Sequence, residues 1–345
     1  MLLALGVTLA GCATMRSHVP HVPGMPGGPP AKFDEAAFAR KPTPTQKIRL
    51  TPDGATVIGR TRRYRIRNGD TLLDVARWYD VGYNEIVTAN PGVDAWVPPV
   101  GAKVVLPTAF VLPCCRYEGF VLNIPEMRLF YFRGDHGDPK SVTVSTYPVG
   151  LGRDDRRTPR GKFRVVTKTV NPRWNVPESI RREHARERGD NRSSIPGGAP
   201  DNPLGKYRLQ LSHRLYGIHG TDIPWGIGMQ VTHGCVRLYP EDIERLYPVV
   251  PIGTPVEFTY QPVKVGRRDG ATFVEVHRDI YRFSRSLAAA TRAAIAKQPG
   301  ADVDPLLLDA AVKSASGVPV AVSTDHGRKR SELAVSQSRQ ATTTR

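Results

Sequence analysis

Hydrophobic positions in the first third of the chain follow two different periods within one short stretch. Residues 64–67 alternate between apolar and polar side chains, which predicts a strand. Four apolar residues then recur at helical spacing: Leu72, Val75, Ala76 and Tyr79. Residues 83–89 predict a second helix that stops at Asn-Pro-Gly, and residues 103–106 predict a closing strand. The pattern predicts a compact β-α-α-β unit over residues 61–108.

Alternation typical of strands dominates from residue 119 onward. Apolar segments separated by Pro and Gly predict strands at residues 120–124, 128–132, 142–149, 161–169, 207–211, 217–219 and 255–260. Pro240, Glu241 and Asp242 open a helix, because proline fits the first turn and acidic side chains favour the positive end of the helix dipole. Residues 117–261 are therefore expected to form a β-sandwich-like domain.

Polar segments interrupt and follow this domain. Residues 171–203 form a long charged insertion with a predicted helix at 178–188, and insertions of that length in compact domains are typically functional. Residues 262–316 predict a hairpin and one or two helices, which form a C-terminal extension. Residues 317–345 are rich in Ser, Thr and Arg and are expected to be disordered. The predicted fold class is mainly β with α+β elements.

The N-terminal residues indicate export. Residues 1–12, MLLALGVTLAGC, are apolar but lack the basic start of a full secretory signal. Their end resembles a bacterial lipobox, which implies cleavage before Cys12 and lipidation of Cys12, and Ala13 at the next position implies the outer membrane. The alternative is an ordinary secretory signal that ends in cysteine. Residues 13–60 are rich in Pro and Gly and predict a flexible linker.

Net charge and cysteine spacing limit the classes of molecule that the chain is expected to bind. The net charge is +17, which suits nucleic acid, but the basic residues are spread along the chain and no nucleic-acid motif occurs. An anionic polymer or membrane surface of the cell envelope fits the charge as well. The cysteines show no zinc-ribbon spacing. Adjacent Cys114 and Cys115 can pair with each other under strain, pair across molecules, or stay as free half-buried thiols, and we expect no catalytic role for them.

Residues 217–238, GIHGTDIPWGIGMQVTHGCVRL, concentrate the reactive side chains. Cys235 supplies a thiol and His219 an imidazole. A cysteine acyl-transfer nucleophile needs an imidazole partner and backbone N–H donors for an oxyanion. An adjacent imidazolium lowers the pKa of a thiol below its ordinary ~8.5. The stretch therefore predicts a nucleophile at Cys235 with His219 as its base.

Two other interpretations use the same residues. A cysteine in an apolar strand is commonly inert core, although the two histidines and the glycines around Cys235 argue against that here. His219, His233 and Cys235 are also metal-capable, which is compatible with zinc. No carboxylate or other fourth ligand is obvious for such a site, which argues against zinc.

The segment Thr-His-Gly-Cys at 232–235, preceded by His-Gly at 219–220, resembles the active-site signature of the L,D-transpeptidases with a YkuD-type domain. The β-α-α-β unit, with its Gly-Asp-Thr-Leu and Ala-Asn-Pro-Gly turns, resembles a LysM module. LysM modules bind glycans that contain N-acetylglucosamine, such as peptidoglycan. With the lipobox, the order of domains is similar to Gram-negative periplasmic members. This implies a periplasmic protein, lipid-anchored to the outer rather than the inner membrane.

The resemblance implies a role for each residue of the signature. Cys235 is the nucleophile and His219 its base, with the Gly220 carbonyl orienting the imidazole through its other N–H. The substrate pocket is formed by Thr232, His233, Gly234 and Arg237. Backbone N–H groups at positions 233–235 are candidates for the oxyanion hole, and the Arg237 guanidinium suits a carboxylate.

The implied reaction acts on peptidoglycan stem peptides. The thiolate attacks the carbonyl on the L-centre of meso-diaminopimelate in a tetrapeptide, D-alanine leaves, and an amine resolves the thioester. A second diaminopimelate would give a 3→3 cross-link, a lysine of an outer-membrane lipoprotein would anchor that protein, and water would give hydrolysis. No metal, organic cofactor or nucleic acid is implied. A non-catalytic peptidoglycan-binding scaffold and a zinc-dependent peptidase are the alternatives.

Overall fold

The structure, a computed structural model, describes residues 45–49, 55–135, 137–298, 301 and 303–324. The predicted signal with Cys12 lies outside these residues, as do most of the predicted linker and most of the predicted tail. None of the helices in the described ranges combines the length and apolarity needed to cross a membrane.

Short strands outnumber helices in the described chain. The strands are β1 (Thr45–Arg49), β2 (Val57–Gly59), β3 (Arg62–Arg65), β4 (Lys103–Leu106), β5 (Ala109–Val111), β6 (Gly119–Asn123), β7 (Arg128–Asp135), β8 (Asp138–Pro148), β9 (Leu151–Gly152), β10 (Gly161–Val170), β11 (Trp174–Asn175), β12 (Ser194–Ile195), β13 (Tyr207–Leu211), β14 (Gly217–His219), β15 (Gln230–Thr232), β16 (Val236–Arg237), β17 (Pro255–Thr259), β18 (Val263–Arg268), β19 (Ala271–Val276) and β20 (Val320–Ala321). The helices are α1 (Leu72–Trp78), α2 (Tyr83–Ala89), α3 (Glu178–Arg188), α4 (Pro240–Val249), α5 (Leu287–Ala296) and α6 (Pro305–Ser314), with a short 3₁₀ helix at Pro224–Gly226.

The largest sheet has the strand order β1-β8-β7-β6-β17-β10-β13-β14-β16. Its pairs are antiparallel except β6 with β17 and β14 with β16, which are parallel. Smaller sheets pair β2 with β5, β3 with β4, β9 with β15, β11 with β12, and β18 with β19 and β20. The sheet therefore ends, on one side, at the strand that follows Cys235.

Both faces of the central strands are buried, because alternate side chains point to opposite faces of a sheet. Phe120 and Leu122 belong to one apolar cluster, which includes Ile243 of α4. Val121 and Phe130 belong to a second cluster on the opposite face. This layering confirms the predicted fold class, mainly β and sandwich-like with a few helices.

The predicted β-α-α-β order over residues 61–108 is present in the structure. Strands β3 and β4 are antiparallel, with Arg62 opposite Leu106. Thr71 caps α1, since its Oγ1 accepts a hydrogen bond from the Asp74 N–H at 3.1 Å. Because a cap fixes where a helix begins, the turn at residues 68–71 sets the direction of α1.

The predicted flexible linker and the predicted disordered tail both contain ordered strands. The linker prediction is wrong for β1 and β2, which pair with β8 and β5 and bury Ile48 and Ile58 in the second apolar cluster. The tail prediction is wrong for residues 317–324, where β20 pairs with β19. Each strand carries too few apolar residues to show a period, and its ordering comes from a distant partner.

Buried ion pairs join the β-α-α-β unit to the β domain. Arg77 of α1 forms two hydrogen bonds of 2.8 Å with the Glu241 carboxylate in α4. Arg128 of β7, which is fully buried, forms two of 2.8 Å with the Glu85 carboxylate in α2. The Tyr83 N–H also donates to the Ile227 carbonyl at 3.0 Å, which attaches the unit to the loop between His219 and Cys235.

Candidate active site

His219 lies at the end of β14, between two strands that each carry an arginine. Arg208 of β13 and Arg237 of β16 are its direct register partners. The histidine is only 2% exposed. Its Nδ1 lies 2.8 Å from the Gly220 carbonyl oxygen, which is the contact expected from the sequence. This contact leaves Nε2 as the ring nitrogen that can exchange a proton.

Cys235 immediately precedes β16 and is half-buried. Its thiol donates a hydrogen bond to the Leu215 carbonyl, with an Sγ–O distance of 3.6 Å. The Gly217 N–H hydrogen-bonds to the same sulfur. Among the described contacts there is no hydrogen bond between Cys235 and His219, although β14 and β16 are adjacent in the sheet.

Thr232 holds the loop that carries the cysteine. Its hydroxyl accepts a hydrogen bond from the Gly234 N–H at 3.1 Å and donates one to the Cys235 carbonyl at 2.7 Å. Gly234 has a φ of +106°, and a Cβ there would lie 3.0 Å from a ring carbon of Tyr216. Glycine is therefore required at this position by both backbone conformation and space.

The expected set of oxyanion donors needs one correction. The Gly234 N–H is already bound to Thr232, so it does not point freely into the site. The N–H groups of His233 and Cys235 donate to no acceptor within the described ranges. These two N–H groups are therefore the available candidates.

The charge states of His219 and Cys235 differ from those expected, which were a protonated imidazole beside a thiolate. Burial lowers the pKa of His219 to about 3, and the positive charges of Arg237 and Arg208 act in the same direction. Burial raises the pKa of the Cys235 thiol, against the Gly217 N–H and the two arginines. The pair therefore rests as a neutral thiol and a neutral imidazole near pH 7, because desolvation disfavours both charged forms.

Few acidic side chains compensate the positive charges of Arg208 and Arg237 beside His219 and Cys235. Asp222 attracts Arg237, and burial raises the pKa of that carboxyl. Arg188, at the end of α3, also acts on both residues. Arg208 was not among the residues selected from the sequence. Its only signal there was its position in the strand that pairs with the histidine strand, and that pairing is not visible without the register.

The charged insertion contacts the site through α3. The Glu183 carboxylate lies 3.0 Å from His233 Nε2 and 2.7 Å from Arg153 Nη1. The hydrogen bonds from Arg153 lower the pKa of Glu183 to about 2, so it is ionised at neutral pH. The backbone N–H of Arg153 also donates a hydrogen bond to the Thr232 carbonyl at 2.9 Å. His233 therefore faces the insertion.

Metal-capable side chains do not converge on the signature. Within the described residues, Glu126, Glu275 and His277 form the one group of three whose ligand atoms lie close together. The Lys264 ammonium lies 2.7 Å from Glu126 and 3.0 Å from Glu275, so a lysine already compensates those carboxylates. Because His233 faces Glu183, the ligand set that suggested zinc is not assembled.

Comparison with known proteins identifies the family of the domain that carries the cysteine loop. Residues 118–258 match the model of the YkuD family, the L,D-transpeptidase catalytic domain. The chain is 36% identical over 288 residues to the probable L,D-transpeptidase YbiS of Escherichia coli, spanning 79% of this chain and 90% of that protein. It is 34% identical over 285 residues to the probable L,D-transpeptidase ErfK/SrfK of the same organism, with the same coverage of both chains.

A solved L,D-transpeptidase from Mycobacterium tuberculosis superposes on 46% of this chain and 63% of that chain, with a TM-score of 0.29 and 20% identity. The assignment rests on the sequence relatives, which are matched over nine-tenths of their length. The chain belongs to the L,D-transpeptidase family and is an L,D-transpeptidase enzyme.

Proposed function

We propose that this L,D-transpeptidase acts through a covalent thioester at Cys235. The observation that carries the proposal is the placement of three functional groups on β14 and on the loop that leads into the adjacent strand β16. A half-buried thiol, a buried imidazole held by the Gly220 carbonyl, and two unpaired backbone N–H groups all lie at the β14–β16 edge. These are the groups that cysteine acyl transfer requires.

The resting pair is neutral, so the thiol proton has to move to the imidazole during the reaction. The His219 imidazole is unprotonated near pH 7 because burial lowers its pKa to about 3, so it is free to accept the thiol proton. Proton transfer and attack of sulfur on the donor carbonyl then form a tetrahedral oxyanion. The N–H groups of His233 and Cys235 stabilise that oxyanion, and one such donor is worth roughly 3–4 kcal/mol.

The donor we propose is a tetrapeptide stem of peptidoglycan, attacked at the L-centre carbonyl of meso-diaminopimelate. The proton taken by His219 passes to the departing nitrogen, and D-alanine leaves. An amine then attacks the thioester and restores the thiol. The acceptor is either a second diaminopimelate or a lysine of an outer-membrane lipoprotein, and Arg237 binds a donor carboxylate.

Mass spectrometry tests the covalent step. Wild type incubated with purified disaccharide-tetrapeptide should gain the mass of the donor minus D-alanine, on the proteolytic peptide that contains Cys235. Cys235→Ala should gain nothing and form no cross-linked product. Cys114→Ala, which removes an exposed thiol, is the matched control and should behave as wild type. A cross-linked product from Cys235→Ala would refute the nucleophile.

The β-α-α-β unit is proposed to act as a LysM module that binds peptidoglycan glycan strands. Its support is the element order and the two turns at Gly69 and Gly92, where both glycines have positive φ and open space around them. Sedimentation of the protein with insoluble peptidoglycan, with N-acetylglucosamine oligomers as competitors, tests this binding. Unchanged binding in the presence of the oligomers would contradict it.

We also propose a lipid anchor at Cys12 and a periplasmic location. The lipobox-like Leu-Ala-Gly-Cys sequence supports it. Metabolic labelling with a fatty acid should mark wild type but not Cys12→Ser, and membrane fractionation should recover only the former with the outer membrane. Equal labelling of both would exclude this anchor.

Neither alternative function has comparable support. A non-catalytic scaffold does not explain why the thiol, the imidazole and the free N–H groups lie together at one sheet edge. A zinc peptidase would need ligands that converge, whereas His233 faces Glu183 and Cys235 donates to Leu215. The relatives are named as transpeptidases, which favours transfer to an amine over hydrolysis.

A further inference from the structure

Arg208, His219 and Arg237 form a row across three strands of the main sheet. Arg208 pairs with His219 in antiparallel register, and His219 pairs with Arg237 in parallel register. Residues in direct register project from the same face of a sheet. The His219 side chain therefore lies between the side chains of the two arginines. The Cα atoms of Arg208 and Arg237 are separated by two strand spacings, or about 10 Å.

Arg208 lies close to the sulfur as well as to the imidazole. Its Nε is 3.1 Å from the position that a Cβ would take on Gly217. The Gly217 N–H hydrogen-bonds to the Cys235 thiol, so the side chain of Arg208 lies over the residue that contacts the nucleophile. The positive charges of Arg208 and Arg237 both act on Cys235, which places both arginines within electrostatic reach of the reaction.

The hydrogen-bonding capacity of both guanidinium groups is incompletely used. The Nε atoms of Arg208 and Arg237 are buried and have no partner among the described residues. Arg208 donates from Nη2 to Gln210 Oε1 at 2.5 Å, which is a neutral acceptor, and none of the described acidic residues forms an ion pair with it. Buried donors without partners are rare in folded proteins and indicate a missing acceptor.

We propose that Arg208 and Arg237 together bind one carboxylate of the donor, which makes Arg208 a further substrate-binding residue. This inference rests on the function proposed above. Arginine binds carboxylates through paired N–H donors, and two side chains from flanking strands can reach a common anion between them. The ligand is the C-terminal carboxylate of the leaving D-alanine, because only the D-alanine nitrogen and α-carbon separate it from the scissile carbonyl.

The test compares donors that differ only in one carboxylate. Rates of Cys235 thioester formation are measured for the tetrapeptide acid, for its C-terminal D-alanine amide, and for a donor amidated at the D-centre of diaminopimelate. The enzymes are wild type, Arg208→Met, Arg208→Lys and Arg164→Met. Arg164 is an exposed arginine on the neighbouring strand β10 and is the matched control. Thermal unfolding verifies that each variant is folded.

If Arg208 and Arg237 bind the D-alanine carboxylate, Arg208→Met should weaken the binding only of donors that carry that carboxylate. With the tetrapeptide acid, Arg208→Met should raise KM at least about tenfold relative to wild type, which is the size expected for a hydrogen bond to a charged group. With the D-alanine amide, the same substitution should change KM much less, and Arg208→Lys should fall between. Arg164→Met should match wild type on every donor, and amidation of diaminopimelate should leave the Arg208→Met effect unchanged.

Other outcomes overturn the assignment. An equal loss on the acid and on the D-alanine amide would mean that Arg208 acts on the thiol and not on the substrate. A loss that disappears only with the diaminopimelate amide would move the ligand to the other carboxylate and refute the one proposed. Wild-type protein that forms no thioester with any donor would instead refute the proposed function itself. Equal KM values for the tetrapeptide acid in wild type and Arg208→Met would refute this inference alone.

Discussion

The buried imidazole of His219 makes the protein sensitive to acid by a predictable amount. Burial lowers the pKa of His219 to about 3 from its ordinary 6.5. The unfolded chain therefore binds a proton near pH 6.5, whereas the folded chain excludes it until near pH 3. The free energy of unfolding is highest above pH 6.5 and decreases as the pH falls through this window, by about 1.4 kcal/mol per pH unit. Acidification to about pH 5 should remove about 2 kcal/mol through this residue.

Urea unfolding near pH 7.5 and pH 5 measures the effect. On acidification, the free energy of unfolding of wild type should fall by about 2 kcal/mol more than that of His219→Gln, whose side chain does not titrate. His277, whose pKa burial lowers to about 4, adds a loss of the same sign, but it is present in both proteins and cancels in the comparison. His213→Gln is the matched control, because it makes the same substitution at an exposed histidine. An equal loss in wild type and His219→Gln would refute a buried neutral imidazole.

Three further predictions follow from the loop geometry. Because burial raises the pKa of Cys235, its alkylation by iodoacetamide, measured by mass spectrometry, should keep rising with pH beyond 9, and a plateau at neutral pH would contradict this. Gly220→Ser should keep donor acylation within about threefold of wild type, because the backbone carbonyl that orients His219 remains and the tightest contact of the added Cβ is with Ile243 Cγ2 at 3.3 Å, the nearest backbone atom lying at 3.5 Å. Gly234→Ala should lower the free energy of unfolding by about 1–3 kcal/mol, and by more than Gly253→Ala. Gly253 shares a positive φ but has open space around it, so equal losses in urea unfolding would show that the Tyr216 contact is unimportant.

Elements whose stability is local could be predicted from the sequence. The helix at 178–188 has the predicted bounds, because a proline precedes it and a glycine with positive φ ends it. The orienting contact between His219 and the Gly220 carbonyl also follows from neighbouring residues. Strands β1 and β2 were missed because each is ordered by a partner far away in the chain, which gives no local period.

The electrostatics of the site depend on the fold and were predicted less well. The sequence places an imidazole near a thiol but does not reveal that both are desolvated, so the expected ion pair is a neutral pair. Arg208 was missed for a related reason, since strand register alone brings it beside His219. The Gly234 N–H was expected to be free, and the Thr232 side chain that occupies it is a loop contact without a sequence signature.

The attachment of the β-α-α-β unit constrains how the enzyme reaches its substrate. Arg77 contacts Glu241, shortly after the nucleophile loop, and the Tyr83 N–H contacts Ile227, within the segment that joins His219 to Cys235. Removing one partner of a buried ion pair costs about 3–5 kcal/mol, because it leaves the other charge buried. The unit is therefore fixed to the catalytic loop and is not tethered by a flexible linker. A glycan strand bound to such a unit would present its stem peptides at a set distance from Cys235, so donor choice would depend on geometry as well as on local concentration.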